Sequence, residues 1–226
     1  MSSRVDDLLA ELSAAMPHVS TPYTTADRAD RVYEVYLFAQ VIAAAADGGA
    51  VVEFEDHDER PVKDLILRGA PGVLHRRGRF THALLRIGTA RPVEVHLRVK
   101  VQGKTIASES DVLLLDTKNA RDCRAKQQLP KAAGCVLSIE GKYYLTALPA
   151  DEAFHYLGVR SSFPPSLTSL FASNSFSPRA NQCLSGSRLP YELGVLPNTR
   201  FQNYTRAHIR ETLRRYVARF DFDCLL

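Results

Sequence analysis

Two short stretches carry charge inside apolar runs: Ser110-Asp111-Val112-Leu113-Leu114-Leu115 and Ile139-Glu140-Gly141-Lys142-Tyr143-Tyr144. A carboxylate or ammonium removed from water without a partner costs several kcal/mol, so buried charges are paired or ligate a metal. Period two along a strand puts Glu109 on the face of Asp111, and Glu140 on the face of Lys142. Gly141 between them marks close backbone approach. Two carboxylates on neighbouring strands can hold a hard cation such as Mg²⁺. A lysine beside them can orient an attacking water and meet phosphate charge, while the cation acts as Lewis acid. The chemistry these residue types would do together is phosphodiester hydrolysis. Each motif also has a plainer reading: Asp111 as a strand-start acid facing a surface lysine, Glu140 and Lys142 as a salt pair on an exposed edge strand.

A third charge needs the same account. Glu34 is the only charged residue between Val32 and Ala46, among Val35, Tyr36, Leu37, Phe38, Val41 and Ile42, and Gln40 is the only other strongly polar one. A helix apolar on nearly every side is a core helix. The alternative places Glu34 on a narrow exposed stripe near the first turn, where the helix dipole favours it.

These residues need elements to position them. Residues 1–23 read as a short amphipathic helical arm ended by Pro17 and Pro22, and residues 24–226 as a single domain. Thr24 or Thr25 is the expected N-cap of the core helix, with Asp27 in its first turn, and Gly48-Gly49 its stop. Strands are expected at 51–55, 80–87 and 93–101, the last in strict alternation, with 105–115 as its hairpin partner. The run Val112–Leu115 implies burial on both faces, near the sheet centre. Residues 116–133 read as a polar connection with one helical turn. A strand at 134–148, a helix at 150–158, a strand at 166–173, a short helix at 177–184 and a C-terminal helix at 203–220 complete the order. The expectation is one α/β (or α+β) domain with a mixed β-sheet flanked by helices.

With Asp111, then Glu140-Gly141-Lys142, and Glu34 on the first core helix, the chain resembles the PD-(D/E)XK nuclease superfamily, of restriction-endonuclease-like fold. The resemblance runs over about residues 30–175 in an αβββαβ order of elements. Ser110 stands where the motif has proline, and residues 116–133 lengthen the Asp-to-Glu spacing. The resemblance implies Mg²⁺ (or Mn²⁺) held by Asp111, Glu140 and the carbonyl of Gly141, with Glu34 assisting and Glu109 adjacent. It makes Lys142 the catalytic lysine. It implies a DNA substrate, RNA not being excluded, and a place in bacterial defence, restriction or repair. Targeting would come from a homodimer or a partner protein. The alternative function is a non-catalytic nucleic-acid-binding or regulatory module of the same fold; a further one is an unrelated α/β enzyme with Glu140 and Lys142 at its surface.

Candidate phosphate contacts are Arg76, Arg77 and Arg79 in one loop, and His96, Arg98 and Lys100 along a strand with Lys104 at its turn. Arg206, Arg210 and Arg214 on the last helix are further candidates. For each, a solvated surface charge is the simpler reading. The net charge of +4 permits nucleic-acid binding without arguing for it. Cys123, Cys135, Cys183 and Cys224 have no zinc-ligand spacing and read as free thiols. There is no membrane-length apolar run and no signal-peptide core, so a cytoplasmic protein is expected. No Walker A, HExxH or GxSxG motif is present.

Overall fold

The long apolar helix α2 (Ala29–Asp47) is the spine of the molecule: every residue from Val32 to Ile42 is buried, Glu34 and Gln40 included. The computed structural model describes residues 4–16, 28–75 and 80–221. The expected cap at Thr24, Thr25 and Asp27 lies outside them, as does the loop with Arg76, Arg77 and Arg79. The N-terminal helix α1 (Arg4–Ala15) is more than an arm, since Leu8 and Leu12 are fully buried in the same core as α2.

Seven strands form one mixed sheet in chain order: β1 (Val51–Glu55), β2 (His82–Arg86), β3 (Val93–Gln102), β4 (Ala107–Asp116), β5 (Cys135–Lys142), β6 (Thr168–Ser173) and β7 (Tyr191–Leu193). The first five are antiparallel neighbours, while β5, β6 and β7 run parallel. A parallel step needs a crossover, which α4 (Ala150–Ser161) and α5 (Pro178–Ser185) supply. One face of the sheet packs on α1, α2 and the C-terminal helix α6 (Arg200–Asp221). The other packs on α4, α5 and a further helix, α3 (Thr117–Lys126), in two smaller cores. The chain is thus an α/β protein with a seven-stranded open mixed sheet and six α-helices among the described residues. None of those helices is long and apolar enough to cross a membrane.

The structure departs from the sequence pattern at two places. Residues 116–133 hold a ten-residue helix rather than one turn. It hides in the sequence because it has no apolar stripe; only Thr117, Ala120 and Cys123 are buried. Its start is set by Asp116, whose Oδ1 accepts from Lys118 N at 2.9 Å and Asn119 N at 3.4 Å. The second departure is in β3. Val93, Val95 and Leu97 pack in the α2 core, but Val99 and Val101 pack in the opposite one. The alternation is unbroken in sequence, yet the strand changes face at Arg98, which has φ +52°.

Asp116 also accepts from Tyr216 Oη of α6 at 2.7 Å and pairs with Arg91 at 3.0 Å. One carboxylate therefore caps α3 and anchors α6. Asp116→Ala is expected to destabilise the fold by about 2 kcal/mol or more, a lost cap plus a buried hydroxyl left unpaired. Asp116→Asn, which keeps an acceptor, should recover part of it. Urea unfolding followed by circular dichroism measures both.

Candidate metal centre

The sheet forks where the charged motifs sit. The last registered pair between β4 and β5 is Val112 with Ile139. Beyond it β4 stays with β3 out to Ala107, while β5 continues alongside β6 to the pair Lys142–Ser173. Asp111 on one branch and Glu140-Gly141-Lys142 on the other therefore stand at the mouth of the fork. Pairing rules explain why charge is tolerated there: strands that part leave main-chain donors free for side chains. The Gly141 N–H donates to Asp111 Oδ2 at 2.7 Å.

Gly141 is the point of closest approach to α2. A Cβ built there would lie 2.6 Å from Leu37 Cδ1 and 3.7 Å from Asp111 Oδ2. The absence of a side chain lets α2 lie against the fork.

A cleft opens at this point, lined by Arg28, Asp30, Glu34, Arg98, Glu109, Asp111, Gly141, Lys142, Tyr144 and Glu152 among others. Glu140 joins it through Lys142, whose Nζ lies 2.8 Å from Glu140 Oε1 and 3.6 Å from Glu152 Oε2. Asp111, Lys142, Glu34 and Glu109 line one cleft and Glu140 reaches it through its ion pair with Lys142, but no three of these carboxylates bring ligand oxygens within 4.8 Å of one another. The structure removes the two plainer readings of the buried charges: Asp111 is 8% and Glu34 8% exposed. Nor is β5 an edge strand, being paired on both sides.

Glu34 has a partner that the sequence hides 64 residues away. Arg98 Nη2 donates to Glu34 Oε1 at 2.6 Å and Arg98 Nε to Oε2, while Nη1 donates to Gly69 O at 2.8 Å. Hydrogen bonding to Glu34 raises the guanidinium above its already high ordinary value. This corrects two expectations. Arg98 is committed within the fold rather than offered to phosphate, and Glu34 is held by Arg98 instead of standing free to ligate.

The other expected phosphate contacts divide similarly. His96 is buried against Glu94. Arg206 is held by Gln40 and Glu11, Arg210 by Asp47 and Arg214 by Glu211. Lys100 and Lys104 are exposed on the β3–β4 hairpin, outside the cleft lining. The cleft is therefore acidic: Asp30, Glu34, Glu109, Asp111 and Glu152 line it against Arg28, Arg98 and Lys142. Phosphate could not enter such a site unless a cation came with it.

The titrating groups register that acid excess. The Asp111 carboxyl is held well above its ordinary value, first by burial, then by repulsion from Glu140 and Glu34; the Gly141 N–H and Lys142 only partly oppose this. Burial likewise raises Glu109; Arg98 opposes it most strongly, while Glu34 and Glu140 add to it and Lys142 opposes. Burial alone would lower the Lys142 ammonium, but Glu140, Asp111 and Glu152 outweigh it and keep the group charged.

Two contributors carry no signal in the sequence. Glu152 begins α4 and reaches both Lys142 and the Tyr144 hydroxyl. Asn174, after β6, clamps the chain beyond Lys142: its Oδ1 accepts from Tyr144 N at 2.7 Å and its Nδ2 donates to Tyr144 O at 2.9 Å. Neither residue has a local motif; only the parallel pairing of β5 and β6 brings them in.

A scan against protein-family models and searches of curated proteins and of solved structures find no match to this chain.

Asp111 should destabilise the metal-free protein. The folded state keeps a proton that the unfolded chain loses near pH 3.8, so this group's stability is full below that value and falls as pH rises. Asp111→Asn keeps an acceptor for Gly141 N–H and removes the charge. In a chelating buffer its melting temperature at about pH 8 should exceed that of the parent, by about 2–4 °C for each kcal/mol relieved. The gain should vanish toward about pH 4. Thermal melts across that range measure it; a variant less stable than the parent at every pH would contradict the account.

Proposed function

We propose that the protein is a divalent-metal-dependent nuclease of restriction-endonuclease-like fold that hydrolyses DNA phosphodiester bonds. The observation that carries this reading is the acidic fork: Asp111 on β4 and Glu140 on β5 repel each other across it, beside a lysine that the surrounding carboxylates keep charged. Oxygen donors suit a hard cation. All the nearby donors are oxygens, and Asp111 carries repulsion that a cation would relieve. Asp111, Glu140 and the main chain of Gly141 would hold Mg²⁺ (or Mn²⁺), with Glu109 at the outer edge. When bound, that ion supplies Lewis acidity and acidifies a coordinated water.

The chain's own groups do the rest. Lys142 Nζ, cationic and anchored by Glu140, donates hydrogen bonds that orient the attacking water and meet charge developing on the phosphate. Arg98 holds Glu34 against α2 and so fixes the wall facing Asp111; Glu34 supports the site rather than ligating. Lys100 and Lys104, exposed along the adjoining hairpin, give phosphate contacts that add affinity without reading sequence. The run α2, β3, β4, β5, α4, β6 supports the fold reading, with β1 and β2 added within it after α2 and α3 between β4 and β5. A homodimer or partner protein would supply targeting. A role in bacterial defence, restriction or repair follows by analogy of fold alone.

The test is cleavage of DNA with and without Mg²⁺. Cleavage should require the metal, and Glu140→Gln and Lys142→Ala should each lower its rate by at least about 100-fold while leaving salt-sensitive DNA binding in place. Unchanged cleavage in either variant contradicts the assignment. DNA binding with no cleavage in the parent favours the non-catalytic module, and cleavage of RNA alone changes the substrate.

A further inference from the structure

A second cluster lies on the face of the sheet turned away from α2. His82 opens β2, and Glu94 and His96 lie on β3. The register Ala83–Val95 and Leu84–Glu94 sets His82 opposite His96. The intervening Ala83, Val93 and Val95 point into the α2 core, so His82, Glu94 and His96 share the other face. The two imidazole rings stack with centroids 4.8 Å apart. Glu94 Oε2 lies 2.8 Å from His96 Nε2 and 3.7 Å from His82 Nε2. Glu55, the cross-strand partner of His82 on β1, brings its Oε2 to 3.7 Å from the same Nε2.

His82 is the anomaly. It is 2% exposed, yet its Nε2 has no hydrogen-bond partner. A buried polar atom between two carboxylates, bonded to neither, is costly. One ligand atom each from His82, Glu94 and His96 falls within a 4.8 Å span. Around a tetrahedral ion with ligands at 2.0–2.1 Å, donor atoms stand about 3.3 Å apart. The observed 2.8 and 3.7 Å separations straddle that value.

We propose that His82, Glu94 and His96 form a buried Zn²⁺ site. Two imidazoles with carboxylates suit a borderline ion such as Zn²⁺, where Mg²⁺ would select oxygen alone. Three buried protein donors would hold the ion, and Glu55, 3.7 Å from His82 Nε2, is the carboxylate nearest the fourth position. Arg124 of α3 is the outer partner that orients a ligating carboxylate: it donates to Glu94 Oε1 and Oε2 at 2.8 Å each, and to Glu59 at 3.1 Å. Glu55, Glu59 and Glu94 stand there among Arg68, Arg121 and Arg124. The site shares no residue with the cleft at the fork. Its ion would tie β1, β2 and β3 together and, through Arg124, bind α3 to them.

The experiment uses the full chain carrying Asp111→Asn, so that the cleft is silent, stripped with chelator and titrated with Zn²⁺, with Co²⁺ as the spectroscopic stand-in. One equivalent of Zn²⁺ should bind and raise the melting temperature, and Co²⁺ should give a tetrahedral visible spectrum. His82→Gln and Glu94→Gln should each weaken binding at least about 10-fold. No bound Zn²⁺, or equal binding by folded variants, overturns the site. Should the variants not fold, X-ray absorption of the Zn²⁺-loaded parent decides: a shell of two imidazoles and carboxylate oxygen supports the proposal, and a sulfur-containing or imidazole-free shell overturns it.

Discussion

Where α2 crosses the mouth of the fork, the Arg98 guanidinium grips the Glu34 carboxylate with two donors and gives its third to Gly69. To reach that position the backbone at Arg98 adopts φ +52°, which costs a non-glycine residue about 1–2 kcal/mol. Removing either partner alone would leave the other charge uncompensated, at a cost of about 3–5 kcal/mol, so Arg98 and Glu34 stand or fall together. The consequence extends the length of β3. Leu97 and the residues before it serve the α2 core, and Val99 and Val101 serve the opposite one. A single hairpin thereby contributes to both faces.

The same pair sets the electrostatics of the cleft. It pairs Glu34, while Asp111, Glu109 and Glu140 remain less fully bonded among the described residues, with Glu34 still adding to the repulsion on Asp111. Asp111 has one, from the Gly141 N–H. Glu140 has the Lys142 ammonium, which it shares with Glu152. Such an arrangement is poor for stability, and on the proposed reading a cation would relieve it. The Lys142 ammonium alone cannot balance it. The proposed nuclease reading rests on that acid excess.

Much of this is legible in the chain. Asp111 at the head of Val112–Leu115 and the charges inside Ile139–Tyr144 mark the two branches of the fork, and the lone Glu34 marks the helix that faces them, because burial makes each charge expensive. What is not legible is non-local or conformational. Arg98 reads as one more cation on an alternating strand, since alternation carries no sign of a positive φ. Helix α3 reads as one turn in a connection because Thr117–Lys126 shows almost no apolar periodicity; its N-cap, Asp116, is the available clue. Strand β7, three residues long, is too short to give a pattern. His96 reads as one of a row of basic residues, although Glu94 two positions earlier shares its face; His82 joins them only through the pairing of β2 with β3.

The central claim is that Asp111 and Glu140 hold one divalent cation at the point where β4 and β5 part. Anomalous diffraction from crystals of the intact chain soaked in Mn²⁺ tests it directly. The expected result is an anomalous peak within coordination distance of both the Asp111 and Glu140 carboxylates, and its loss in Asp111→Asn. Crystals that take up no Mn²⁺ at the fork, with the two carboxylates left apart, would contradict it.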